Sequence, residues 1–183
     1  MAEVRAVNVK QVPREDEAGN VHQYYRIMEQ LVVGCHDHLA EARIAIAMNY
    51  AWQPDRDNHT KLGKATLVKQ LHKEFHGYDF LIELNYDACQ GMSEEHITAL
   101  IDHELCHCAV ATDKEGEIVY DTRGRAVYRI RKHDLEEFRD VVARNGIWKS
   151  DIAAFVQATQ QGPETPLFDG IASGRTFAEE SLI

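Results

Sequence analysis

The sequence has no long apolar run. No stretch of its 183 residues approaches transmembrane length, and the opening residues, MAEVRAVNVKQVPRED, lack the apolar core of a signal peptide. No membrane role is expected, and the expected compartment is the cytoplasm. Cysteine is scarce: Cys35, Cys89, Cys106 and Cys108 have no framework-like spacing, which excludes a disulfide scaffold. Three of them fall inside apolar periodic segments and read as reduced, buried thiols, with Cys35 facing the core and Cys108 on an apolar stripe. Positive charge is also short. Lys and Arg number 20 against 30 Asp and Glu, a formal charge of −10 that argues against coating nucleic acid or anionic membrane with the whole surface. There are four prolines, three of them near the ends, and there are neither internal repeats nor low-complexity blocks.

What is present is an ordinary globular pattern, long enough to bury a core. Residues 1–19 are polar and read as a flexible N-terminal arm. Residues 20–162 read as one domain and 163–183 as a flexible C-terminal tail. Helical spacing runs from Val21 to Leu39. Alternation of Ile44, Ile46 and Met48 against Ala45, Ala47 and Asn49 marks a strand, and residues 64–71 and 78–86 read as two more. Ser93, followed by Glu94 and Glu95, is suited to cap a helix running to about Ala111. Residues 117–120 and 125–131 read as a hairpin about Asp121-Thr122-Arg123-Gly124, with Gly124 in the left-handed position. Two helices follow, the first stopped at Gly146 and the second capped by Ser150. The pattern is α+β, with a small, mostly antiparallel sheet and a C-terminal helical pair.

The motif that carries chemistry is His103-Glu104-Leu105-Cys106-His107, an H-E-x-x-H inside the helix opened by Ser93. Residues four apart share a helix face, so both imidazoles reach one metal ion, and Glu104 can address a water held there. Ile97, Ile101, Leu105 and Cys108 form a separate apolar stripe. One zinc per chain with an open position is the expected cofactor. Two histidines need a third partner. The residues after His107, CAVATDKEG, exclude the metzincin pattern, and His133 is the sole histidine downstream. Glu136 and Glu137 share its helix face and remain alternative ligands or outer partners, as does Asp134 as an outer partner.

DFLIELNYDACQGMSEEHITALIDHELCHC followed by VYRIRKHDLEEF resembles the phage metallopeptidase family, a small relative of SprT-like zinc proteases, over roughly residues 38 to 148. The matching elements are Ala99-Leu100-Ile101-Asp102 leading into the motif, then His133, Asp134, Glu137 and Phe138. The resemblance implies a minimal zincin-like fold, peptide or protein substrates, a host-cytoplasmic setting and His133 as third zinc ligand. No Cys-rich zinc ribbon follows the core, unlike in larger SprT-like proteins.

The expected reaction is hydrolysis of a peptide bond by a zinc-activated water, with Glu104 as general base. Tyr120, Tyr128, Arg129 and Arg131 are candidates for oxyanion stabilisation or substrate contact. Arg123, Arg125, Arg129, Arg131 and Lys132 form a basic patch that reads either as a solvated face or as a dock for an acidic partner or nucleic acid. The other function class is a non-catalytic binding module on a zincin scaffold with structural zinc. A second metal site in Cys35-His36-Asp37-His38 is not expected, since His36 and His38 diverge on a helix.

Overall fold

The structure is a computed structural model that describes residues 8–56, 58–136 and 139–162. It divides into two compact units, one ending at Lys132 and the other beginning at His133, inside the stretch expected as one domain.

The first unit is built on a four-stranded sheet. Strands β1 (Val9–Gln11), β2 (Ile44–Asn49), β3 (Gly63–Leu67) and β4 (Phe80–Asn85) lie in the order β1-β2-β4-β3. Only β2 and β4 are parallel, in the register Ile44↔Phe80 to Asn49↔Asn85; the outer pairs are antiparallel. Ile44, Ile46 and Met48 therefore align with Phe80, Ile82 and Leu84, and all six are buried in one core. Each such side chain contributes roughly 1.5–3 kcal/mol when fully buried, which is what fixes the register.

Residues 9–12 belong to this sheet, a correction to the expected arm. β1 pairs with β2, Val12 donates its N–H to the Ile46 carbonyl (2.8 Å), and its side chain is buried. Tyr25 ties the two together: its hydroxyl accepts from Ile46 N–H (3.0 Å) and donates to the Val12 carbonyl (3.3 Å). Val9 and Val12 stand three apart among polar residues, without the period of two that would mark a strand.

Helix α1 (Gln23–Cys35) ends sooner than its apolar spacing suggests, and a 3-10 turn over Asp37–Leu39 follows. Cys35 is exposed rather than core-facing. After β3 the chain forms α2 (Gln70–His76), so the end of the expected second strand is helical. A single helical turn, α3 (Tyr86–Cys89), leads to α4 (Glu94–His107). Ser93 caps α4 by accepting from His96 N–H, with Glu94 and Glu95 in its first turn, as expected. The stripe Ile97, Ile101, Leu105 and Cys108 is buried as read, and α4 packs against α1 and β3.

α4 stops at His107, four residues before the expected end. Residues 108–110 become strand β5 (Cys108–Val110), antiparallel to β6 (Tyr128–Ile130). Residues 128–130 thus pair with β5, while the expected hairpin about 121–124 is present, with Tyr120 opposite Ala126 and Val127 N–H donating to the Val119 carbonyl (2.8 Å). There Gly124 adopts φ 74°, the left-handed conformation its turn requires. In the second unit, α5 (Arg139–Asn145) and α6 (Ser150–Gln161) are the two expected helices, but α5 begins at Arg139 rather than at His133 or Asp134, so His133 and Glu136 precede it and share no helix face. Gly146 follows α5 at φ 66°, and Ser150 is the first residue of α6 rather than its cap. The expected tail, 163–183, lies outside the described residues.

Candidate metal centre

Helix α4 orders two faces around its axis, with a carboxylate at their border. The apolar stripe faces the core. His103 and His107 share a second face, with ring centroids 5.1 Å apart and planes at 81°. Glu104 stands at the border of the two, buried to 3% exposure, while His103 is exposed and His107 half-buried. This is the division of labour that the i, i+4 spacing predicts.

His107 is oriented by the main chain of Arg131. Its Nδ1 lies 2.8 Å from the Arg131 carbonyl, and Arg131 N–H donates to the His107 carbonyl at 2.8 Å. A carbonyl only accepts, so Nδ1 carries the proton, and Nε2 is the lone-pair nitrogen of the neutral ring. Outer contacts of this type orient metal-ligating histidines. Arg131, a candidate for oxyanion stabilisation or substrate contact, brings its backbone to His107.

Glu104 is held by β3, an edge strand. Leu62 O and Val68 N bond with Asn85 and Asp79 on the β4 side. The backbone groups of Gly63 and Ala65, of the opposite parity, therefore face the open edge. Glu104 lies there. Ala65 supplies it a backbone hydrogen bond, and a Cβ on Gly63 would come within 2.6 Å of Oε1. Burial raises the carboxyl's pKa above its usual value, against the lowering influence of His107 and of the Ala65 bond. Oε2 is buried without a hydrogen-bond partner. An orphaned carboxylate oxygen beside two histidines fits a centre that takes a metal ion and its water.

The match to known proteins agrees with this donor set. The family model described as Putative phage metallopeptidase matches residues 19–160. The chain belongs to that family. No curated protein and no solved structure matches the chain. Membership makes it a metallopeptidase by family, which implies a bound metal and protein substrates. Among the described residues, no helix is long and apolar enough to cross a membrane.

The remaining candidate residues are distributed as follows. His133 opens the second unit and is exposed, as are Asp134 and Glu136; Glu137 and Phe138 lie outside the described residues. Tyr128 is a core residue, packed edge-on against Phe80 with ring centroids 5.3 Å apart, and burial raises its pKa. Tyr120 and Arg129 are exposed. In the basic patch, Arg123 pairs with Glu74 (3.1 Å) and Arg125 with Asp121 (3.2 Å). Sequence reasoning missed Gly63 and Ala65, although an isolated glycine at the head of a strand is a known signal of close backbone approach.

Proposed function

We propose that this metallopeptidase is a zinc-dependent peptidase of the SprT-like kind, with His103, His107 and His133 as ligands of one catalytic zinc and Glu104 as general base. The observation that carries the reading is the buried Glu104 carboxylate, with an unsatisfied oxygen, beside two histidines on one face of α4. A scaffold holding zinc only as a structural pin gives no account of an ionisable group kept in so costly a place.

Zinc, when bound, supplies Lewis acidity that polarises a carbonyl and makes water nucleophilic near neutral pH. The chain supplies the rest. Glu104, its proton affinity raised by burial, accepts a proton from the attacking water and then delivers it to the departing amine. His107 keeps one tautomer through the Arg131 carbonyl, so its Nε2 stays a ligand nitrogen. His133 is favoured as third ligand by chain connection. Arg131 is bonded to His107 on both sides of its peptide, and two extended residues span at most about 7 Å. Glu136 and Glu137 are the alternatives. Arg129 and Tyr120 are proposed substrate contacts, and the site of action is a host cytoplasm.

The test is a peptide-library digest by the wild type and by Glu104→Gln, each with its metal content measured. Cleavage by the wild type alone, with equal zinc in both, supports the reading. Equal cleavage by both rejects it.

A further inference from the structure

Helix α4 carries a second pair of metal-type ligands, one step round from the first. Asp102 and Cys106 are four apart and share a face about 100° from that of His103 and His107. The chain opposite them is the end of α1. There His36, the residue at which the helix stops, turns its ring inward and is 5% exposed. Its Nε2 lies 2.6 Å from Asp102 Oδ1. The ligand atoms of His36, Asp102 and Cys106 all lie within 4.8 Å of one another. A second metal site was not expected from either stretch taken by itself; the tertiary fold brings His36 of the one beside Asp102 and Cys106 of α4.

We propose that His36, Asp102 and Cys106 form a second metal site, structural rather than catalytic, that takes a divalent ion of the zinc class and pins the end of α1 to the H-E-x-x-H helix. The donor set decides the class of ion. Imidazole nitrogen with thiolate sulfur selects zinc and its neighbours over magnesium or calcium, which want oxygen alone. Size agrees as well. At bond lengths of about 2.0–2.3 Å, tetrahedral ligand atoms sit roughly 3.3–3.7 Å apart. With all three ligand atoms within 4.8 Å of one another, the adjustment required is a parting of His36 from Asp102 by about 1 Å on that same scale. The Asp102 side chain is 45% exposed and has room to move, while His36, at 7%, is the fixed member. Cys106 is on the solvent side, so the fourth position falls to water. This site shares no ligand with the histidine centre, and the two stand or fall separately.

The experiment uses the full chain, stripped of metal and reloaded with cobalt(II) or zinc. Two zinc ions per chain are expected in the wild type, one in Cys106→Ser and one in the double variant His103→Ala/His107→Ala. Cobalt bound by Cys106 gives a thiolate-to-metal charge-transfer absorption, which an all-histidine centre does not. That absorption should persist in the double variant and in Cys35→Ser and vanish in Cys106→Ser. Cys106 is exposed, so its replacement leaves the core intact, and circular dichroism checks this. A wild type without the thiolate band, a band that survives Cys106→Ser, or one that depends on Cys35 overturns the proposal. None of these results bears on the catalytic centre, whose failure would appear as unchanged zinc in the double variant.

Discussion

Gly63 lies against the carboxylate of Glu104 with no space for a methyl group: a Cβ there would come within 2.6 Å of Oε1 and 3.1 Å of Cγ. The edge strand and the H-E-x-x-H helix thus approach through a backbone on one side and a buried carboxylate on the other.

Gly63→Ala should therefore displace Glu104 or strain β3. Overpacking of this kind costs about 1–3 kcal/mol. We expect a lowered midpoint in denaturant, near-normal zinc content and reduced peptide hydrolysis. Wild-type turnover in a fully folded Gly63→Ala would mean that the strand does not position the carboxylate.

Glu104→Gln should keep the fold and the zinc yet lose at least ~100-fold in turnover, the usual loss for a missing general base. The amide is nearly isosteric and cannot accept the water's proton. Single-turnover cleavage of a fluorogenic peptide reads the effect.

His133→Ala should bind zinc much more weakly with its secondary structure retained, as measured by competition with a chelating dye. Stoichiometric zinc at wild-type affinity would move the third ligand to Glu136 or Glu137.

The four thiols should divide into two pairs under a maleimide probe. Cys35 and Cys106 are exposed and should label in the native chain stripped of metal. Cys89 and Cys108 are buried, with pKa values pushed up to about 11 and about 12. Raising the pH to about 9 leaves such groups as thiols, since the thiolate fraction grows only near the pKa. They should label only after unfolding; native labelling of Cys108 would contradict the packing of the α4–β5 junction.

Removal of residues 1–19 deletes β1 and the buried Val12. Loss of that side chain alone costs about 2 kcal/mol, and the Tyr25 hydroxyl loses its acceptor. A truncated chain should melt lower than one that begins at residue 8. Equal melting would return these residues to the status of an arm.

Much of this was legible along the chain because it depends on local periodicity. The stripe Ile97, Ile101, Leu105 and Cys108, the Ser93 cap and the facing of His103 with His107 all follow from 3.6 residues per turn. The alternation in 44–49 marked β2 for the same kind of reason, with a period of two. The errors fall where distant contacts overrule local preference. Continued apolar spacing after His107 suggested more helix, yet pairing with β6 turns Cys108–Val110 into a strand. Residues 9–12 looked polar enough for a loose arm, yet the edge of β2 offered them a ladder.

The sequence by itself determined the chemistry: a helix that must aim two imidazoles and a carboxylate away from its apolar stripe, because side-chain direction within a helix is set by backbone geometry alone. The tertiary structure decided what those groups meet. That Glu104 is buried against Gly63 and Ala65, that His107 is oriented by a carbonyl 24 residues on, and that His36 reaches Asp102 across 66 residues are long-range facts. They arise from the packing of α1 and β3 on α4 and from the pairing of β5 with β6, and no local period in the chain encodes which distant backbone will come to lie beside a given side chain.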